Sequence, residues 1–303
     1  MRRFLYLLAA LAVFATPLAQ AQQRANPKAD VSVARPTWPT GTGPRVVIDA
    51  GHANFHQVDG RYAPFAALLR NDGFRVEGQD KPFTTESLAG IDVLVVVNAI
   101  NPLTKKEGRP LSAFTDDEIA AAKTWVEGGG RLLLVADHMP FAYASAKLGA
   151  AFGVTEWDDG FAMQNNKALD LFDRSSGLAD QPITRGAGGD SPVTKIRTFT
   201  GSAFVAPGAT PLIVLDKRFE VLTPDKPWDF QPSTPHIPAD GLLQGASLTL
   251  GKGRVVLLGE AAFMTSQLKA DTGEVAGFGA EGAEQNPQFV LNMMHWLAGA
   301  PGY

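Results

Sequence analysis

The sequence predicts an α/β domain built on a doubly wound, mostly parallel sheet, and three features of residues 45–153 predict it. The unbroken apolar runs RVVID, DVLVVVNA and RLLLVA fit strands buried on both faces. Amphipathic segments lie between them, as βαβ connections require. Glycines stand where those helices would stop, at Gly73 and at Gly128 to Gly130.

In order, RVVID begins at Arg45 and is followed by RYAPFAALLRND, which sets Tyr62, Phe65, Ala66 and Leu69 at helical spacing before Gly73. The short strand FRVE follows, and then DVLVVVNA. The TDDE stretch, Thr115 to Glu118, is a capping box with three acidic residues in the first turn of the helix IAAAKTWVE. RLLLVA comes next, and AYASAKLGAAF reads as a helix ending by Gly153. From about Val154 to Gly245 the pattern changes to frequent Pro, Gly and Asp with short β-like stretches, an irregular β-containing insertion or antiparallel extension. SLTLGKGRVVLLGE is a hairpin around Gly251-Lys252-Gly253 that returns to the core sheet. Asn286 and Pro287 read as the N-cap and first residue of a last helix, QFVLNMMHWLAG. Residues 45–303 therefore read as one domain.

The N-terminus carries different information. Arg2 and Arg3 precede the apolar run FLYLLAALAVF, Pro17 breaks it, and Ala19-Gln20-Ala21 is a small-x-small cleavage site. Residues 1–21 read as a secretory signal peptide with cleavage before Gln22, since about 15 apolar residues fall short of the ~20 of a membrane span. No stable membrane span is expected after cleavage, and the destination reads as periplasmic or secreted. Residues 22–44, with four prolines and no apolar period, read as a flexible leader. There is no cysteine, which excludes a thiol nucleophile and a thiolate zinc cluster. Charge is near balance, with 27 Lys and Arg against 31 Asp and Glu, and no basic patch is interleaved with aromatics, so nucleic acid is not an expected partner.

In open parallel sheets ligands bind beyond the carboxyl ends of the strands. The residues just after the predicted core strands are Asp49, His52 and His56, then Asn98 and Asn101, then Asp137 and His138, and then Glu260. Three of the five histidines fall in this set, each near a carboxylate. Imidazole titrates near neutrality and is a common metal ligand, so the rim suits proton transfer or a divalent metal. His52, His138 and Glu260 are the candidate catalytic residues. Asp49, His56, Asn98 and Asp137 are the candidate orienting or substrate-binding residues, and His52, His56 and His138 the candidate ligands of any metal. His295 is expected to anchor the last helix by a hydrogen bond, and His236 to lie on a surface loop. Ser145 and Ser266 have no nucleophile elbow around them, so activated water is the expected nucleophile of any reaction.

Two resemblances arise. VVIDAGH resembles the start of zinc-dependent N-acetylmuramoyl-L-alanine amidases, in which that histidine binds zinc. The chain then departs from that family: the next glutamate is Glu77, and no S-I-H-x-N-like strand end follows. The second covers nearly all of the chain after its leader. His52, Asn54, Phe55, His56, Gly60, Arg61, Tyr62, Pro64 and Phe65, then ADHMP, FTGSAF, GEAAFMTSQ and NPQFVLNMMHWLAG, resemble an exported bacterial family of the DUF4350 type. That family is similar to class I glutamine amidotransferase-like domains, a flavodoxin-like fold shared with trehalose-utilisation-like proteins. The resemblance implies this fold and no activity, and the amidotransferase cysteine is absent.

Two functions stand open. One is a hydrolase, base- or metal-assisted, acting on an envelope or imported glycan. The other is a non-catalytic module that binds a sugar or a protein at the same rim. Trp228 and Phe230, in the region from about Val154 to Gly245, read either as buried aromatics, the commoner case, or as a stacking surface for a sugar.

Overall fold

The computed structural model describes residues 23–303 except 108, 109, 165 and 167. The expected signal peptide therefore lies outside the described residues. Nine strands form a central sheet, numbered in chain order: β1 Arg45–Asp49, β2 Arg75–Gln79, β3 Val93–Val97, β4 Arg131–Val135, β5 Glu156–Asp158, β6 Ala203–Val205, β7 Thr210–Val214, β8 Leu243–Leu250 and β9 Gly253–Leu258. Their order is β2-β1-β3-β4-β9-β8-β6-β5, with β7 also paired to β8. The first five of these pair in parallel; β8 runs antiparallel to β9, and β7, β6 and β5 continue antiparallel. The sheet is thus mixed, because the region expected as an insertion supplies its antiparallel half.

Alternation along the parallel strands divides the core. Ile48, Val95, Leu133 and Val256 face one layer, which includes α1 (Ala63–Asn71) and α4 (Asn286–Ala298). Val47, Leu94, Leu134 and Leu257 face the other, with α2 (Asp116–Glu127) and α3 (Phe141–Ala150). Burial on both faces is why these strands carry no polar alternation.

Three smaller sheets flank the main one. Phe161–Gln164, Phe219–Leu222 and His236–Pro238 form one, Asp170–Asp173 and Lys195–Thr198 another, and Arg24–Ala25, Ser266–Leu268 and Val275–Gly277 the third.

That third sheet corrects the flexible leader. Arg24 and Ala25 pair with Leu268 and Gln267, and Val31, Val33 and Trp38 pack on the core. The Trp38 ring meets Phe74 edge-on at 4.6 Å, and Gly73 makes room for it. Gly73 has φ +97, and a Cβ there would stand 2.3 Å from the Trp38 carbonyl oxygen. The prolines of this stretch denied it periodicity without denying it packing.

Two caps show how local signals fared. The Thr115 box forms in full: the Thr115 hydroxyl accepts the Glu118 N–H and Glu118 Oε2 accepts the Thr115 N–H. At α4 the cap is Gln285, while Asn286 lies inside the helix and its side chain bonds the Arg197 and Phe263 carbonyls. His295 anchors α4 as expected, its Nε2 2.6 Å from Asp72 Oδ2 and 3.0 Å from Thr37 Oγ1. His236 is exposed but lies in a short strand, 3.1 Å from Glu220.

Candidate functional site

The rim residues separate into two groups. Asp49 ends β1 and its carboxylate lies 2.8 Å from His52 Nδ1. The other nitrogen, His52 Nε2, lies 3.0 Å from Glu118 Oε1, and the ring sits between Phe83 and Phe114, each at 4.5 Å. Burial lowers the His52 pKa, but the bonds and charges of Asp49 and Glu118 outweigh it and raise it overall. Both ring nitrogens meet carboxylate oxygens, which accept, so the geometry suits an imidazolium clamped by two carboxylates. With both nitrogens engaged, it has no lone pair for a metal or a substrate proton.

The second group surrounds a cavity of about 450 Å³ at the ends of β3 and β4. Its polar lining is Gln23, His56, Arg61, Asn98, Asp137, His138 and Gln267. Its apolar wall is Phe55, Phe141, Pro227 and Trp228. Neither His52 nor Glu260 lines it. Of the predicted residues, the structure thus brings together His56, Asn98, Asp137 and His138, and leaves Asp49, His52 and Glu260 outside.

Asn98 orders this floor. It follows β3 with φ +48, a left-handed conformation that asparagine tolerates better than most residues. Its Oδ1 accepts the Asp137 N–H at 2.9 Å, so its Nδ2 donates to His56 Nδ1 at 3.2 Å. His56 Nδ1 is then an acceptor, and the ring proton sits on Nε2. His56 is 3% exposed, and its Nε2 has no hydrogen-bond partner. Burial, with help from Arg61 and His138, lowers the His56 pKa to about 3, so the ring is neutral.

His138 has the opposite polarity. Its Nδ1 donates to the Met139 carbonyl at 2.8 Å, leaving Nε2 as an acceptor. The ring stacks on Phe161 at 4.5 Å and meets Trp228 edge-on at 4.8 Å. Its own N–H bonds Asp137 Oδ1 at 2.8 Å.

Arg61 and Gln267 were not singled out as site residues from sequence. Arg61 is half-buried, lies over the Phe55 ring at 5.4 Å, and makes no side-chain hydrogen bond or ion pair among the described residues. Gln267 is fully buried, and neither its amide oxygen nor its nitrogen has a partner. The signal was present, since both residues lie in the motifs GRYAPF and GEAAFMTSQ. Polar residues at a helix start and in a short strand carry no strand-end mark, and position relative to the core strands does not find them.

Glu260 is buried outside the cavity lining, within electrostatic reach of Asp137. Its carboxyl accepts the N–H groups of Ala262 and Phe263 at 2.6 and 2.9 Å. Complete burial, and next the charge of Asp137, nonetheless raise its pKa well above the ordinary carboxylate range. Its role in the structure is to cap a turn.

No group of three or more His, Asp or Glu among the described residues is placed to hold a metal ion. The triad His52, His56 and His138 does not fit one: His52 has both nitrogens bound to carboxylates, and His56 Nδ1 is bound to Asn98.

No family model matches the chain, and no curated protein does. Solved structures do. The mmIFT52 N-terminal domain is similar over 84% of this chain and 97% of its own, at 14% identity and TM-score 0.55. A ThuA-like protein from Bacteroides uniformis is similar over 88% and 93%, at 11% identity and TM-score 0.45. A GMP synthase-like protein from Thermoplasma acidophilum is similar over 85% and 95%, at 9% identity and TM-score 0.39. Of these three scores only the first reaches the level of a shared fold. Among the described residues no helix is long and apolar enough to cross a membrane.

Proposed function

We propose that this chain is an exported, flavodoxin-like domain whose cavity binds a glycan. The observation that carries the reading is that one cavity is lined both by half-exposed aromatic residues and by planar polar groups that lack partners. Trp228 and Phe55 are 47% and 49% exposed. An aromatic face left in water beside a polar floor suits the apolar face of a sugar ring, with its hydroxyls turned to the amide, imidazole and guanidinium groups. The parallel strands support the finer fold, since their order β2-β1-β3-β4-β9 is the flavodoxin-like 2-1-3-4-5 order. The sequence of residues 1–21 supports export, after which the ligand would be met outside the cytoplasm.

Titration calorimetry of the purified mature chain against monosaccharides and soluble oligosaccharides tests the reading. Saturable binding that Trp228→Ala weakens is expected. Absence of binding to every sugar, by a folded protein, would overturn it.

A hydrolytic role is the second reading, and one observation favours it: His138 offers an Nε2 lone pair at the cavity beside Asp137, where it could take a proton from water. Of the three residues expected from sequence to be catalytic only His138 meets the cavity, so binding is the stronger reading. Release of reducing ends from a panel of glycans, lost in His138→Ala, would establish hydrolysis.

A further inference from the structure

The cavity lining offers unpartnered groups of both hydrogen-bonding polarities. Two groups can only accept, or accept with what remains free: Asp137 Oδ2, which has no hydrogen bond among the described residues, and His138 Nε2. Donors without partners are the His56 Nε2–H and the Gln267 amide nitrogen, whose amide oxygen is unpartnered as well, and the half-buried Arg61 guanidinium makes no side-chain hydrogen bond among the described residues. Burying His56 and Gln267 unmatched is costly, and native structures seldom leave two such side chains at one place without a use.

The two opposite charges do not satisfy each other. Arg61 forms no ion pair within 4.0 Å, although Asp137 lies near enough to favour its charge. A ligand that fits between them brings an anion to the donors and hydroxyl hydrogens to the acceptors. We propose that the cavity recognises an acidic sugar of the uronate type, its carboxylate held by Arg61, His56 and Gln267 and its hydroxyls by Asp137 and His138. This rests on the glycan-binding reading and specifies it.

The count of charges favours a carboxylate over a phosphate. Of the groups assigned to the carboxylate, His56 is neutral and Gln267 uncharged, so Arg61 alone supplies a positive charge, and the Asp137 carboxyl belongs to the same lining. Arg61 offsets the single charge of a monoanion, whereas a dianion would bring a second negative charge with no counterpart beside Asp137. The planar guanidinium fork also pairs in two parallel bonds with a planar carboxylate. Gln267 is held in place by the strand pairing of Ala25 with it, so the N-terminal segment builds part of the subsite.

The test compares each uronate with its neutral parent, glucuronate with glucose, galacturonate with galactose and mannuronate with mannose, together with the 6-phosphates of the same sugars. Affinities are read by calorimetry at neutral pH on the mature chain. A preference for one uronate of about tenfold or more over its parent and its phosphate is expected, as for a charge-assisted pair. Arg61→Gln should abolish that preference, with circular dichroism and melting confirming that the variant folds. Trp228→Ala should instead weaken uronate and parent alike. Equal binding of uronate and parent, or a preference that survives Arg61→Gln, would overturn the acidic subsite while leaving glycan binding intact. Preference for a phosphate would overturn the carboxylate assignment. Binding of none of these sugars would overturn the subsite, and the broader glycan panel then decides whether glycan binding falls with it.

Discussion

His52 Nε2 lies 3.0 Å from Glu118 Oε1, across 66 residues of sequence. The same glutamate caps α2 through its other oxygen, so one side chain joins a helix start to the loop after β1. With Asp49 on the opposite nitrogen, the imidazolium ties three elements together at the rim.

Removal of this cation leaves Asp49 and Glu118 buried and facing one another. His52→Ala is expected to lower stability by about 3–5 kcal/mol, the cost of breaking a buried ion pair by deleting one partner. Urea denaturation measures this loss. Sugar affinity should stay unchanged at a temperature where the variant is folded, because His52 does not meet the cavity. Loss of affinity at full stability would return His52 to the functional site.

The clamp also sets a pH dependence. The folded pKa of His52 is raised above 6.5, so its contribution is fully present below pH 6.5 and is lost as pH rises through the folded value. Melting temperature of the wild type should fall over that rise more steeply than that of His52→Ala. Parallel profiles for the two proteins would show that His52 carries no bound proton.

His56 has the opposite sign. It is neutral in the fold with a pKa of about 3 against 6.5 unfolded, so its contribution is present above pH 6.5 and lost as pH falls from 6.5 toward 3. His56→Gln should therefore flatten the acid side of the stability curve. An acid limb as steep as that of the wild type would place its cause in other groups.

Trp228 meets His138 and Phe161 edge-on at 4.8 and 4.7 Å yet remains half exposed. Its replacement by Ala should cost about tenfold in sugar affinity, or ~1.4 kcal/mol, with little change in melting temperature. A large fall in melting temperature with unchanged affinity would make it a packing residue.

Trp38 pins the N-terminal segment against Phe74 and His295, with ring distances of 4.6 and 5.6 Å. Trp38→Ala should open Val31–Pro44 to limited proteolysis and lower stability by about 1–3 kcal/mol. Release of Arg24 and Ala25 from Gln267 would then loosen the cavity as well. Equal protease resistance of variant and wild type would show that the segment is held elsewhere.

The sequence by itself determined the parallel half of the sheet, because strands buried on both faces must be continuously apolar and the helices between them must be amphipathic. It also determined the capping box at Thr115, whose partners are three residues apart, and the rim positions of Asn98, Asp137 and His138, which follow from where strands end. Only the tertiary structure decided what each rim residue faces. Strand-end chemistry could not separate His52 from His56, four residues later, since Glu118 and Asn98 reach them from distant segments. Nor could it find Arg61 and Gln267, whose significance lies in partners they lack, a property that exists only once the chain has enclosed them. The leader failed for the same reason: its packing is non-local, with Trp38 against Phe74 and His295 and Ala25 against Gln267, and no local pattern encodes a contact that the rest of the fold supplies.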